Sequence, residues 1–249
     1  MKIAFLTTDE PLYLPTFFEE VLPALASRTV GVYVVPPLYR DQTTLDAARR
    51  YAHTFGWRDA ASLAARVARA RMRRRSVASV CAAADVMSRD AADVNSREFL
   101  DDLRALEPDL LVSVSCPQIF KRPLLDLAPA GCLNIHGALL PRYRGVLPSF
   151  WMMANGEKYA GVSIYYVNEA IDAGELCAQR SFPIEPGDSL DSFLRRSKEI
   201  AAELLLETIE AIDDGSVRRT PLDLTEGSYF SWPDTDAVAR FRALGRSVW

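Results

Sequence analysis

The sequence predicts an α/β fold in which a mostly parallel sheet carries helices on both faces. Short runs of apolar and β-branched residues, typical of buried strands, alternate with longer segments that carry helix caps or one apolar stripe. Such alternation favours parallel strands, because each crossover lays a helix over one face of the sheet. The chain has 249 residues, 49% of them hydrophobic, which is enough to bury a full core.

The N-terminal part predicts the order strand, helix, strand. Residues 2–7 (KIAFLT) have the composition of a short buried strand. Thr16 and Glu19 have the spacing of a capping box, so we expect a helix to begin there and Pro23 to kink it or end it early. Residues 29–35 (TVGVYVV) are rich in β-branched side chains and predict the second strand.

Helical segments dominate the next part of the chain. We expect a helix over about 43–55, then an Ala/Arg-rich segment over 59–75 and a short helix over about 76–84. Ser96 caps a further helix with one apolar stripe, and Pro108 ends it.

The second half of the chain predicts three more strands and one long helix. Strands are expected at 110–114, 132–136 and 161–167, with a short helix near 121–127. The long helix runs from about Ser189 to Ile212, and the segment 180–188 before it is the one candidate domain boundary.

Composition excludes several classes of function. The formal net charge of −4 argues against a nucleic-acid partner, because phosphate neutralisation needs a basic face. The apolar run after Lys2 is too short for a signal peptide, and no stretch approaches the roughly 18 apolar residues of a membrane span, so we expect a cytoplasmic protein without membrane contact.

Cofactor motifs that depend on glycine or cysteine are also missing. Residues 7–11 (TTDEP) follow the first strand where a dinucleotide-binding fold would have G-x-G-x-x-G, and there is no P-loop pattern. The cysteines are scattered without a C-x-x-C pair, so neither a metal site nor a disulfide framework is indicated. We interpret all four as core thiols: Cys81, Cys116, Cys132 and Cys177.

Three polar residues form the candidate site. Asn134 and His136 are two apart on a predicted strand, so their side chains lie on one face near its carboxyl end, where open α/β sheets place their sites. Asp172 follows the strand 161–167, which a parallel arrangement would bring to the same edge. Taken singly, Asn134 and His136 could be a buried, locally bonded pair and Asp172 a turn residue. The other histidine, His53, is interpreted as a surface residue at a helix end.

A longer pattern around these residues resembles the folate-dependent formyltransferase family. Its N-x-H, L-L-P, G-V-T-like and I-D-x-G motifs are matched in order between residues 134 and 174. The matching residues are Asn134, His136, Leu139, Leu140, Pro141, Tyr143, Arg144, Gly145, Pro148, Trp151, Gly156, Glu157, Gly161, Val162, Ser163, Ile171, Asp172 and Gly174. Ala138 departs from the serine often found in the family, which puts a hydroxyl contact there in doubt.

The resemblance implies a fold, a donor and roles for three residues. We expect a Rossmann-like formyltransferase domain over 1–185, followed by a C-terminal helix and a short extension over 186–249. The formyl donor would be 10-formyltetrahydrofolate. Asn134 would stabilise negative charge on the formyl oxygen, His136 would bind the same oxygen or shuttle a proton, and Asp172 would orient His136 and help to remove the amine proton.

Binding residues follow from the same resemblance. The family's pterin cleft corresponds here to Gln118, Ile119, Phe120, Leu140, Pro141, Ala170 and Ile171. Tyr143, Arg144 and Trp151 are the candidate acceptor residues, since their pattern is similar to the amino-sugar and tRNA branches of the family. No metal is expected.

The acceptor is less constrained than the donor. The acidic composition, and the short segment after the long helix, argue against a tRNA acceptor and favour the amine of a nucleotide-linked amino sugar. Another small amine (an amino acid, peptidyl group or ribonucleotide), hydrolysis of the formyl-folate, and a non-catalytic folate-binding relative stay open as alternatives. A homodimer is also left open.

Two further segments, one rich in arginine and one aromatic, are candidates for binding or contact surfaces. The arginines between 66 and 75 could bind the diphosphate of a sugar nucleotide or the glutamates of the folate, or form the solvated face of a helix. They are Arg66, Arg69, Arg71, Arg73, Arg74 and Arg75. The aromatic tail 227–234 (GSYFSWPD) could edge the acceptor pocket or bury a dimer contact.

Overall fold

A computed structural model describes residues 1–36 and 43–249. Their strands are β1 (Ile3–Thr8), β2 (Thr29–Val35), β3 (Ser88–Asp90), β4 (Leu110–Val114), β5 (Cys132–His136), β6 (Arg144–Gly145), β7 (Tyr159–Tyr166), β8 (Leu176–Pro183) and β9 (Tyr229–Phe230). Seven of them form one sheet in the order β3-β2-β1-β4-β5-β7-β8, and β6 pairs with β9 in a separate small sheet.

Helices surround the main sheet. They are α1 (Leu14–Leu25), α2 (Thr44–Phe55), α3 (Trp57–Met72), α4 (Val77–Ala83), α5 (Arg97–Ala105), α6 (Arg122–Leu125), α7 (Pro148–Ala154), α8 (Leu190–Asp213) and α9 (Thr235–Ala243). In the described part of the chain, none of these helices has the length and apolar content needed to cross a membrane.

The parallel core and its two covered faces are as predicted. Strands β1 to β5 of the main sheet pair in parallel, and alternate residues of β1 point to opposite sides. Ile3 and Phe5 join the apolar cluster on one side, whereas Ala4 and Leu6 join the cluster on the other. Because both faces are buried, residues 3–6 of β1 form a continuous apolar run rather than an alternating one.

The direction of β7 corrects the expectation of a parallel neighbour. β7 is antiparallel to β5, with Asn134 opposite Tyr165 and His136 opposite Ser163. The connection between the two strands stays near the carboxyl end of β5, so β7 starts where β5 ends. Composition carries no information on this direction.

The sequence analysis missed the short strands β6 and β9 and also two strands of the main sheet. β8 is antiparallel to β7 at the edge of the sheet and includes exposed polar residues such as Gln179 and Ser181, so it lacks a continuous apolar run. β3 has three residues, of which two are exposed. Strands of this kind leave little signal in a sequence.

The predicted capping box of the first helix is wrong. α1 begins at Leu14, so Thr16 lies inside it, and Pro23 lies two residues before its end. The carboxylate of Glu10 performs the capping instead, since it accepts hydrogen bonds from the backbone N–H groups of Leu12, Tyr13 and Leu14 at 2.7–3.1 Å. A side chain four residues before the helix thus satisfies its unpaired donors.

The C-terminal helix packs directly on the N-terminal part of the chain. α8 begins at Leu190, close to the predicted start, and Ser189 caps it by accepting from Ser192 N. The helix then contacts α1, β7 and β8. The division of the chain at residue 185 stays a prediction. The interpretation of the cysteines needs a correction, because Cys81 and Cys132 are buried whereas Cys116 and Cys177 are partly exposed.

Candidate active site

β5 presents Asn134 and His136 on one face of the sheet. Asn134 is half-buried and His136 is buried. The antiparallel register places Tyr165 of β7 beside Asn134, and Asn134 Nδ2 donates a hydrogen bond of 2.9 Å to the Tyr165 hydroxyl. Strand pairing therefore adds a third polar side chain to the predicted pair.

A backbone carbonyl orients the imidazole of His136. His136 Nε2 lies 2.7 Å from the carbonyl oxygen of Tyr143. Because a carbonyl can only accept, Nε2 carries a proton, and the neutral ring presents the lone pair of Nδ1 on its other side. Nδ1 faces Asp172 Oδ1 at 3.7 Å, which is longer than a hydrogen bond.

Asp172 reaches the site by a different route from the one expected. The loop after β7 folds back over the sheet, so that Asp172 Oδ1 accepts from the Tyr165 hydroxyl and Oδ2 accepts from Gly145 N, both at 2.8 Å. Asp172 has a positive φ of 48°, a strained region for a non-glycine residue. Two donors thus fix the carboxylate beside His136.

Tyr165 is the residue that the sequence interpretation missed. Its hydroxyl accepts from Asn134 and donates to Asp172, so it links the two predicted residues. Burial, together with the negative charge of Asp172, raises the pKa of Tyr165 far above its ordinary value, which keeps the donor proton in place. The direction and register of β7 would have been needed to find it.

A cavity of about 300 Å³ opens beside these residues. Asn134, Tyr165 and Asp172 are among its lining residues. From the predicted folate residues, the lining includes Gln118, Ile119, Phe120, Ala170 and Ile171. Leu140, Pro141 and His136 are not part of this lining, and the binding role of each predicted residue stays a prediction.

The rim of the cavity is apolar and exposed. Ile119, Ile171 and Tyr229 keep 69%, 50% and 53% of their surface accessible, which is unusual for large apolar side chains that lie close together. An exposed apolar rim around a few polar groups is typical of a small-molecule site.

Side-chain hydrogen bonds hold the loop on one side of the cavity. Gln118 accepts from Val94 N and donates to the carbonyl of Ala92, both at 2.9 Å. Asn95 donates to the carbonyl of Ile119 and accepts from Lys121 N. The Gln118 amide therefore serves the local fold, and the exposed Ile119 is presented by a fixed backbone.

The L-L-P segment is fixed from the opposite side. Ser163 Oγ accepts from Leu140 N and donates to the carbonyl of Ala138, while Gln179 Nε2 donates to the carbonyl of Leu140. These bonds tie the residues after β5 to β7 and β8, which explains why a small hydroxyl residue suits position 163.

The candidate acceptor residues lie against the tail rather than in the cavity. Tyr143 and Trp151 are buried and both stack on Phe230, with ring centroids 5.2 Å and 4.7 Å away. Arg144 lies beside the Asp172 loop, 3.5 Å from the carbonyl of Ile171. From the tail, Tyr229 lines the cavity.

Gly145 allows the tail to approach the site. Its φ is +96°, and a Cβ added there would collide with the carbonyl oxygen of Phe230, its neighbour across the β6–β9 pair. Its N–H also holds Asp172. Position 145 therefore needs glycine for both backbone conformation and space.

We expect Gly145→Ala to lower the free energy of unfolding by about 1–3 kcal/mol, because it adds backbone strain and a collision with the tail. Urea denaturation measures the change. Gly215→Ala is the matched control, since Gly215 also has a positive φ of 75° but nothing within 4 Å of the added atom. Equal losses in the two variants would contradict the collision with Phe230.

Comparison with known families decides what kind of protein this is. The model of the Formyl transferase family matches residues 1–209, most of the chain. The chain belongs to the formyl transferase family. The resemblance found in the sequence motifs is thereby confirmed.

Relatives within the formyl transferases differ in the acceptor that their names state. The methionyl-tRNA formyltransferase of Moorella thermoacetica is 39% identical over 153 residues, which cover 61% of this chain and 49% of the relative. The chain spans about half the length of the curated relatives that it matches.

Solved structures share the fold at lower identity. Glycinamide ribonucleotide transformylase 1 from Symbiobacterium toebii superposes with a TM-score of 0.61 at 18% identity, covering 90% of this chain and 94% of its own. The sugar 3N-formyl transferase WlaRD, solved in the presence of dTDP and 5-N-formyl-THF, gives 0.58 at 16% identity, covering 93% and 69%. These matches confirm the Rossmann-like formyltransferase fold.

Proposed function

We propose that this chain is an N-formyltransferase that moves the formyl group of 10-formyltetrahydrofolate to a primary amine. The observation that carries the proposal is the linked set Asn134, Tyr165 and Asp172 in the wall of an apolar-rimmed cavity, with His136 Nδ1 facing the Asp172 carboxylate. These groups supply a hydrogen-bond donor, a proton acceptor and a fixed negative charge.

The cavity suits the ring system of the donor. A pterin is flat, and the exposed side chains of Ile119, Ile171 and Tyr229 offer apolar contacts to its faces. The fixed backbone around residue 119 offers hydrogen bonds to its edge. When bound, 10-formyltetrahydrofolate would supply the electrophilic formyl carbon.

Asn134 would stabilise the negative charge that develops on the formyl oxygen as the amine adds to the carbon. One N–H of its amide binds the Tyr165 hydroxyl, which fixes the plane of the group and leaves the second N–H for that oxygen. A donor held in place before the reaction stabilises developing charge without reorganisation.

His136 would carry the proton. Since Nε2–H binds the carbonyl of Tyr143, Nδ1 accepts the proton that the amine loses on forming the new C–N bond. The same proton then goes to the folate nitrogen as its C–N bond breaks, so no net charge accumulates. Asp172, fixed by Gly145 N and Tyr165, would stabilise the protonated imidazole 3.7 Å away.

For the acceptor, we propose a nucleotide-linked amino sugar. The motif pattern around Arg144 and Trp151 and the acidic net charge of the chain support this choice. A homodimer and a cytoplasmic location stay predictions.

The test is mass spectrometry of amine acceptors incubated with the protein and 10-formyltetrahydrofolate. A panel of nucleotide-linked amino sugars should yield one product that is heavier by one formyl group. Formate and tetrahydrofolate released without a formylated amine would favour a hydrolase. Methionyl-tRNA formylated in place of every amino sugar would refute the proposed acceptor but keep the formyl transfer.

We expect Tyr165→Phe to lower kcat by about 10- to 100-fold, because Asp172 loses a hydrogen bond to its charged form and Asn134 loses the acceptor that orients it. Steady-state kinetics of formyl transfer measure the effect. The KM for the donor should stay unchanged, since the ring faces of the cavity are intact.

Tyr159→Phe on the same strand is the control for this variant, because Tyr159 is exposed at the far end of β7. Loss of thermal stability in Tyr165→Phe together with a raised KM would show a structural role only. Unchanged kcat would contradict the linking role of the hydroxyl.

A further inference from the structure

A second cavity, of about 450 Å³, is lined by five arginines. It lies between the segment before α1, the helix α3 and the start of α8. Its lining consists of Pro11, Leu12, Arg66, Arg69, Ala70, Arg73, Arg75 and Arg195. So dense a cationic lining is unexpected in a chain of net charge −4, and it is called the arginine cavity below.

Helix periodicity places three of the arginines that line the cavity on one face of α3. Arg66, Arg69 and Arg73 are three and four residues apart, so they share one face of α3 and its end. Arg69, Arg71 and Arg73 are all exposed, but Arg71 is not part of the lining. The arginines that share this face of α3 therefore line one cavity.

Carboxylates hold some of these arginines in place without neutralising the cavity. Asp191 pairs with Arg195 at 3.1 Å and with Arg66 at 3.4 Å, and Glu19 pairs with Arg75 at 3.1 Å. Within the described residues no carboxylate forms an ion pair with Arg69 or Arg73. The cavity therefore keeps a surplus of positive charge.

Two of the guanidinium groups are also oriented. Arg66 stacks on the Trp249 ring, 4.4 Å from its centroid, and Arg195 donates to the carbonyl of Leu12. Arg75 is held by hydrogen bonds from its Nη2 to Thr16 Oγ1 at 2.9 Å and to Glu19 Oε2 at 3.1 Å.

Lys198 connects the arginine cavity with the candidate active site. It follows Arg195 by three residues on α8, so both side chains lie on one face of that helix. Lys198 Nζ donates to Ser115 Oγ at 2.9 Å, and Ser115 immediately precedes Cys116 in the lining of the first cavity. Burial lowers the pKa of Lys198 to about 8, an effect that Glu10 opposes.

We propose that the arginine cavity binds the phosphate groups of the acceptor. Guanidinium groups bind phosphate oxygens in a bidentate geometry, and Arg69 and Arg73 are available for this. The cavity has the volume of a small-molecule site rather than the extended basic surface that an RNA backbone needs. The anion site itself does not depend on the proposed function. Only the assignment of the bound phosphate to the acceptor rests on the proposed formyl transfer.

The first test is calorimetric titration of the full chain with inorganic pyrophosphate at constant ionic strength. We expect the wild-type protein to bind and the double variant Arg69→Gln/Arg73→Gln to bind at least about tenfold more weakly. The double variant Arg71→Gln/Arg97→Gln loses the same charge outside the cavity, since Arg97 is exposed on α5, and should bind as the wild type does. Equal weakening in both double variants, or no binding by the wild type, would overturn the site.

A second titration separates the acceptor from the folate. Tetraglutamyl tetrahydrofolate should bind equally well to the wild type and to Arg69→Gln/Arg73→Gln. Selective loss of this ligand in the variant would assign the cavity to the donor tail and overturn the proposal. Pyrophosphate binding by a protein that formylates no amine would support the anion site and refute the proposed function, so the two failures are distinguishable.

Discussion

Replacement of His136 by alanine should lower the turnover number of formyl transfer by about 10²- to 10⁴-fold. In the proposed reaction, Nδ1 of this ring takes the proton from the amine, because Nε2–H is bound to the carbonyl of Tyr143. Water in the vacated space would be a weaker and less well oriented base. Binding of tetrahydrofolate, measured by calorimetry, should change little, since His136 does not line the cavity proposed for the folate.

Two other variants make the His136 result interpretable. His53→Ala removes the second histidine of the chain, which is exposed on α2, and should leave turnover unchanged. His136→Gln supplies an amide donor for the Tyr143 carbonyl but no proton acceptor of comparable basicity, so it should preserve stability and still lose turnover. Near wild-type turnover in His136→Gln would contradict the proton-transfer role.

Replacement of Asp172 by asparagine should lower turnover by about 10³-fold or more, by analogy with carboxylates that support a catalytic histidine. The carboxylate accepts from Gly145 N with one oxygen and from the Tyr165 hydroxyl with the other. A carboxamide has only one oxygen, so its NH₂ group must face one of these two donors. The variant loses both the negative charge beside His136 and the fixed position of the loop.

Steady-state turnover of Asp172→Asn should be compared with that of Glu175→Gln, an exposed substitution of the same kind near the end of the same loop. Glu175→Gln should retain full turnover. If both variants lose activity equally, loop charge rather than the specific position of Asp172 determines the rate.

The sequence predicts the centre of the fold better than its edge. Buried strands such as β1 and β4 are mostly apolar, and a segment of this kind reveals both the strand and its burial. β8 lies at the edge of the sheet with one side open to solvent. It therefore contains polar residues and lacks the apolar run by which a strand is recognised in a sequence. The direction of β7 depends on where the preceding connection leads, which no local composition records.

The residues of the candidate site also divide into those that a local sequence pattern predicts and those that depend on long-range contacts. Asn134, His136 and Asp172 follow from motif and spacing, because strand periodicity fixes the shared face of the first two. Tyr165 follows only from register, since it lies opposite Asn134 on an antiparallel neighbour. Tyr143 and Trp151 stack on Phe230 because the tail returns to this segment, a long-range contact that a local pattern cannot show.

The pairing of β6 with β9 also bears on how the protein is made. Arg144 and Gly145 pair with Tyr229 and Phe230, which are synthesised 85 positions later. Bringing such distant segments together has an entropic cost, so this contact forms after the more local structure. On the ribosome, Gly145, whose backbone N–H holds Asp172, gains its pairing residue on β9 only once residue 230 has emerged. The nascent chain can therefore fold its parallel core well before the candidate active site is fully assembled.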